Sequence, residues 1–295
     1  VRTPAKAAIV AFAVTAACAR SARAEGTHAV RTLSYDTATD VVITTAAGLW
    51  LVTSELSKGD LAPAACRWCD RAKDGSDALN GVDRWARRHL LWKDTRIADV
   101  ASSVLAFVVA PTTGIVTTSI AAAHDGASRD APIDGLLVAE ATLVAGGVNQ
   151  ITKFVAGRER PFVHYLARRE DGLHDLTDAP EDDHLSFFSG HAALSFAIAT
   201  SRGTVATMRD YRLAPLVWAG GLSWATAIGY LRIAADKHYL TDVLAGALVG
   251  SAIGVAVPRI FHAPIADGRA AGVTASAAPA SGPAVVTPWA IGGVW

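Results

Sequence analysis

The sequence predicts an all-α protein, a bundle of about six core helices embedded in a membrane. Composition is the first observation behind this: 51% of the 295 residues are apolar and only 18% charged, more apolar and less charged than an ordinary soluble domain. The second is a set of long uncharged runs rich in Ala, Val, Leu, Thr and Gly, and two of them, Val100 to Ala123 and Leu213 to Leu231, are long enough to cross a bilayer. The third is the lack of sustained apolar–polar alternation with turn residues between, so strands are not indicated.

Along the chain, residues 1–24 have the make-up of an export signal. Arg2 and Lys6 precede the uncharged run Ala7 to Cys18, and Ala22-Arg23-Ala24 offers a small-residue cleavage site. A helical domain is expected over 25–261. Its first apolar run is Val41 to Ser54, too short to cross a bilayer comfortably. Cys66 and Cys69 follow as Cys-Arg-Trp-Cys, a candidate disulfide in an oxidising compartment. A redox-active dithiol uses the same spacing, but no strand-to-helix pattern surrounds this one.

Leu79 to Lys93 places Val82, Trp85, His89 and Trp92 at helical spacing with Arg84, Arg87, Arg88 and Lys93 around them. That pattern suits either a helix lying on an anionic membrane surface or one packing its tryptophans on the bundle. Further helices are expected over Val100 to Ala123, Gly135 to Val148 (with Glu140 as its one charge), Ala192 to Ser201, Leu213 to Leu231 and Val243 to Pro258. The polar stretch Phe162 to Phe188, with His164, His174, Asp175, Asp178, Glu181, Asp182, Asp183 and His184, has no spaced ligand pattern and is expected to be a solvated acidic lid. From His262 to 295 the chain turns to Ala, Gly, Pro and Ser and is expected to be a flexible tail. Formal net charge is zero, so nothing in the electrostatics points to nucleic acid.

Three clusters carry chemistry, each at an end of an apolar helix. Lys153 and Arg160 are seven residues apart, and on a continuing helix would share a face and aim at one anion, with Pro161 marking the stop. Ser189 is suited to cap the next helix, leaving the backbone N–H groups of Gly190 and His191 free to hold phosphate oxygens, and His191 is suited to protonate a departing alkoxide. His238 and Asp242 are four apart, which on a helix sets a carboxylate beside an imidazole, while Arg232 adds a planar cationic clamp.

In these residues the chain resembles the type 2 phosphatidic acid phosphatase superfamily. Its motifs are Lys, six residues, Arg-Pro; then Pro-Ser-Gly-His; then Ser-Arg, five residues, His, three residues, Asp. Lys153, Arg160 and Pro161 match the first, Ser189, Gly190 and His191 the second, and Arg232, His238 and Asp242 the third. Phe188 stands for the family proline and Leu231 for the family serine, and the resemblance covers about 134–250.

The resemblance implies a helical bundle with its active site at one end and phosphatase chemistry without metal or other cofactor. His238 would be the nucleophile, Asp242 its orienting group and His191 the acid, with Lys153, Arg160, Ser189, Gly190 and Arg232 binding phosphate. The implied substrate is a phosphorylated lipid or a small phosphate ester. A soluble periplasmic acid phosphatase, a vanadate-dependent haloperoxidase and a non-catalytic membrane scaffold are the competing readings. If Val41 to Ser54 does not cross, the clusters face the periplasm from the inner membrane and Arg202, Arg209 and Arg212 face the cytoplasm.

Overall fold

The computed structural model describes residues 29–166 and 179–265. The expected signal segment, His174, Asp175 and Asp178 of the polar stretch, and the tail beyond Ile265 lie outside them. Ten helices follow in order: α1 Thr37–Leu56, α2 Lys58–Leu61, α3 Gly81–Leu90, α4 Thr95–Val104, α5 Ala110–His124, α6 Ala131–Ala156, α7 Pro161–Leu166, α8 Gly190–Met208, α9 Ala214–Ala234 and α10 Leu240–Phe261. Each of the six apolar runs falls in a long helix or, for 100–123, in the continuous rod made by α4 and α5. Among the described residues there is no strand, only isolated bridges.

Helix starts follow local chemistry. Asp36, Asn80 and Asp94 accept from backbone N–H groups of the first turns of α1, α3 and α4. Between α4 and α5 the backbone makes one π turn, Leu105–Val109. Pro111 has no N–H to return to the carbonyl four residues back, and the wider turn absorbs that loss.

The bundle is organised around α8, nearly all of which is buried, with α6, α9 and α10 packed on it. The α8–α10 contact is backbone to backbone. Gly246, Gly250 and Gly254 line one face of α10, and a Cβ on Gly250 would come 2.2 Å from the Ala193 carbonyl oxygen. Small residues at four-residue spacing are what allow such an approach.

Among the described residues three stretches are long and apolar enough to cross a membrane: Thr95–His124, Ser128–Ala156 and Leu240–Phe261. Between 28% and 44% of each is buried in the protein, so most of their apolar surface faces outward, as lipid-facing helices require. The expected span Leu213 to Leu231 is not among them. It forms α9, but Trp218, Ser223, Trp224, Thr226 and Tyr230 make it less apolar than its lack of charge implies.

Three further observations bear on what the sequence led one to expect. Of the arginines expected on the cytoplasmic side, Arg209 is buried and paired with Asp134 at 2.8 Å, and Arg202 is buried inside the bundle. The segment opening at His262 is not loose at its start. His262 is buried at the end of α10, and Ser34 and Ile265 donate backbone hydrogen bonds to Ala263 and Thr32. On α3, Val82 and Trp85 stay more than half exposed instead of packing on the bundle, while Arg87 pairs with Asp236 through two hydrogen bonds of 2.7 and 2.8 Å.

Candidate active site

A cavity of about 620 Å³ opens at the end of the bundle where α6 stops and α8 and α10 begin. Six of the residues singled out in the sequence line it: Lys153, Arg160, Gly190, His191, Arg232 and His238. Ser189 and Asp242 lie behind its wall, fully buried.

The first cluster is built differently from expectation. Lys153 and Arg160 do not share a continuing helix, because α6 ends at Ala156 and Gly157 takes a left-handed conformation, φ 54°. The stop is Gly157, and Pro161 instead opens the short α7. Arg160 therefore reaches the cavity from an irregular turn, where its Nε donates to the Asp182 carbonyl at 2.8 Å and its guanidinium lies 3.6 Å from the Asp182 carboxylate. Burial alone would raise the Asp182 carboxyl, but the charges of Arg160 and Lys58 outweigh it and hold the group at about 2. Lys58 meets the same carboxylate at 2.9 Å.

At the second cluster Ser189 caps α8 as its residue type suggests, accepting from Ala192 N at 3.5 Å. Gly190 is required by crowding: a Cβ there would come 2.7 Å from Asn149 Oδ1 and 3.5 Å from Lys153 Nζ. His191 is positioned from α4 and the π turn, with Ser103 Oγ 3.2 Å from its Nε2 and the Phe107 ring edge-on at 4.8 Å. Phe188 is buried and its carbonyl accepts from Asn149 Nδ2 at 2.7 Å.

The third cluster holds the largest departure. His238 precedes α10 and is not on it, and its Nδ1 hydrogen-bonds the Ser186 carbonyl at 2.8 Å. A carbonyl only accepts, so Nδ1 carries the proton and Nε2 keeps the lone pair. Asp242 Oδ2 is 3.8 Å from Nδ1, near enough to stabilise a charged ring but not bonded to it. Its oxygens accept instead from Ser186 Oγ at 2.6 Å, Tyr239 N at 3.0 Å and Arg158 Nη1 at 2.6 Å. Burial, then the nearby charges of Arg160, Arg232 and Lys153, push the His238 imidazole well below its ordinary value. Arg232 donates to Asp99 Oδ1 at 2.5 Å and Ser102 Oγ at 2.9 Å, while Leu231 packs in the apolar cluster of Ala98, Ala234 and Ala235 and offers no hydrogen bond.

Sequence reasoning missed Arg158, Asp99, Ser102, Ser103, Asn149 and Ser186. The only signal for any of them was an arginine two residues before Arg160. Five cations and three carboxylates line the cavity, Lys58, Lys153, Arg160, Arg232 and Lys237 against Glu55, Asp99 and Asp182. With these charges it favours an anion. Cys66 and Cys69 are joined by a disulfide, and the loop they close is hydrogen-bonded to the turn below the cavity: Arg67 N and Trp68 N donate to the Gly157 carbonyl, and Glu159 N donates to the Trp68 carbonyl.

No curated protein matches this chain. Among solved structures, the crystal structure of the first transmembrane PAP2 type phosphatidylglycerolphosphate phosphatase from Bacillus subtilis superposes with a TM-score of 0.44 and 17% identity, over 70% of this chain and 93% of that one. Residues 134–265 match the model of the PAP2 superfamily. That stretch carries all three clusters, and over it the chain is similar to the PAP2 superfamily.

Proposed function

We propose that this protein is a phosphatase that removes the phosphate of a membrane lipid through a covalent phosphohistidine on His238. One observation carries the reading: the cavity that gathers Lys153, Arg160, Arg232, His191 and His238 continues into an apolar wall of Leu51, Val52, Leu56, Phe107 and Leu194. A phosphate held by the cations leaves its acyl or prenyl tail against that wall, next to helices that already face lipid.

Phosphoryl transfer asks mainly for positioning and charge stabilisation. His238 Nε2 attacks phosphorus as the bond from phosphorus to the ester oxygen breaks, and His191 gives that oxygen its proton. Water then attacks the phosphoryl group with His191 taking the proton, so the nitrogen–phosphorus bond breaks and inorganic phosphate leaves. The guanidinium groups of Arg160 and Arg232, with the amine of Lys153 beside them, supply the charge a metal would, and this mechanism asks for no ion at the phosphate. Asp242 acts at a distance, stabilising the ring while the Ser186 carbonyl sets its tautomer.

The site is read as facing the exported, oxidising side of an inner membrane. Its support is the Cys66–Cys69 disulfide, which sits against the same turn that delivers Arg160. Helix α3, with Val82 and Trp85 uncovered among basic residues, would lie on the membrane surface at that end.

Rapid quench into alkaline denaturant, in which a phosphohistidine survives, with radiolabelled substrate tests the mechanism. A phosphoenzyme is expected in the parent chain and absent in His238→Ala, and covalent phosphate still accumulating in His238→Ala would overturn the nucleophile assignment. Run beside it, a panel of lipid phosphates and soluble monoesters in detergent is expected to favour the lipids by at least about tenfold, and a preference for soluble esters would remove the lipid from the reading.

A further inference from the structure

Well away from the phosphate cavity, three ionisable side chains from distant parts of the chain meet inside the bundle. Asp40 lies in the first turn of α1, Glu140 on α6 and His262 at the end of α10. Glu140 precedes Lys153 by thirteen residues, which along one helix is about 20 Å. All three are buried, at 5%, 2% and 1% exposure, and one donor atom from each lies within 4.8 Å of the others.

The protonation pattern is what makes this more than a packed polar cluster. His262 Nδ1 hydrogen-bonds the Ser34 carbonyl at 3.2 Å, so the proton is on Nδ1 and the Nε2 lone pair points away from it. Nε2 is 3.3 Å from Glu140 Oε2, yet neither atom has a hydrogen-bond partner among the described residues. Two lone pairs facing each other in an apolar interior repel unless a proton or a metal ion lies between them, and the third ligand atom, from Asp40, favours the metal ion.

We propose that Asp40, Glu140 and His262 form a binding site for one divalent first-row transition ion of the Zn²⁺ or Mn²⁺ kind. Two carboxylates balance the charge of the ion, and an imidazole among them selects against Mg²⁺ and Ca²⁺. Metal–ligand bonds of about 2.0–2.2 Å place neighbouring donor atoms roughly 3–3.5 Å apart, which the His262–Glu140 pair already satisfies. The Nδ1 hydrogen bond to a backbone carbonyl is the outer contact that metal-bound histidines usually make. An ion here ties α1 to α6 and to the end of α10. It touches nothing in the phosphate cavity, so its role is to hold the fold.

The test uses the full chain without an affinity tag, purified in detergent and free of added chelator. Elemental analysis is expected to find about one transition ion per chain. After stripping with EDTA, titration with Zn²⁺, and separately with Mn²⁺, should restore one saturable equivalent and raise the unfolding temperature by roughly 5 °C or more. His262→Gln should lose both the uptake and the shift. No saturable uptake of either ion by the stripped parent chain, with an unchanged unfolding temperature, would overturn the proposal and leave a simple imidazolium–carboxylate pair. The same uptake in His262→Gln would overturn it too. Should that variant not fold, X-ray absorption at the metal edge of the parent chain decides: one imidazole among oxygen donors is expected, and two imidazoles or any sulfur donor reject the assignment.

Discussion

Arg158 holds Asp242 directly, Nη1 donating to Oδ1 at 2.6 Å with both side chains fully buried. The same guanidinium donates to Asp70 at 2.9 Å, Asp83 at 3.0 Å and Thr241 at 2.8 Å, and lies between the rings of Trp68 and Tyr239, each 4.2 Å away. Asp83 in turn accepts from Thr241 N at 2.8 Å, so α3 supplies a cap to the start of α10. One arginine thus links the disulfide loop, α3 and the carboxylate behind His238. Arg158→Met should leave the buried carboxylates of Asp83 and Asp242, and the half-buried one of Asp70, without their shared partner, lowering stability by about 3–5 kcal/mol. Arg158→Lys keeps the charge but cannot reproduce the fork, and is expected to fold while losing at least about tenfold in kcat. Thermal unfolding beside steady-state rates checks both, and a lysine variant with full activity would separate Asp242 from Arg158.

His191 should show its role through the leaving group. His191→Ala is expected to slow an alkyl phosphate by roughly a hundredfold and to spare an activated aryl phosphate, whose departing oxygen needs little protonation. Equal losses on both esters would remove the general-acid assignment.

The pH profile follows from the charges around His238. Its protonated form is disfavoured by burial and by Arg160, Arg232 and Lys153, so the neutral nucleophile persists as pH falls below the ordinary histidine value of 6.5. The acid limb of kcat/KM should therefore lie below that pH. Arg160→Gln removes a neighbouring positive charge, makes protonation of His238 easier and should move the limb to higher pH, with kcat/KM down by about 10–100-fold from the lost phosphate contact. Asp182, held at about 2, does not titrate in this window. An acid limb that stays in place in Arg160→Gln would show that another group governs it.

Vanadate should inhibit, because it can take up the five-coordinate geometry that the cations stabilise. EDTA should leave initial rates unchanged while lowering the unfolding temperature, which separates a metal that holds the fold from one that does chemistry. Activity lost in chelator within the folded protein and restored by a divalent ion contradicts the mechanism.

The α8–α10 contact predicts a steric asymmetry between glycines. Gly250→Ala should cost about 1–3 kcal/mol, because its Cβ meets the Ala193 carbonyl. Gly220→Ala, with nothing within 4 Å of the added carbon, should be nearly neutral or slightly stabilising. Similar unfolding temperatures for the two variants would mean that the helices part more easily than their packing implies.

Local patterns carried much of this architecture. The uncharged runs located the long helices because helix-length apolar stretches leave few other folds open, and the three clusters stood out because each sits at a helix end. What stayed hidden depends on pairs far apart in sequence. Arg158 meets Asp70 and Asp83 across separations of 88 and 75 residues, and nothing in the local order of charges announces either contact. The helix stop was misplaced because Pro161 is the stronger breaker by residue type, while Gly157 acts through a left-handed conformation. The neighbours of Glu140 could not be named from the sequence because they come from the two ends of the domain.

The glycine face of α10 has a consequence for how such a protein could be redesigned. Where two helices meet through their main chains, only a larger residue at one of the glycines acts on the gap, and at a cost, so the spacing between the catalytic groups they carry is set by the backbone. Leu51, Val52 and Leu56 of α1 and Phe107 of the π turn are under no such constraint. They precede the matched region 134–265, and they are where a longer, shorter or bulkier tail can be accommodated without disturbing the groups that handle phosphorus.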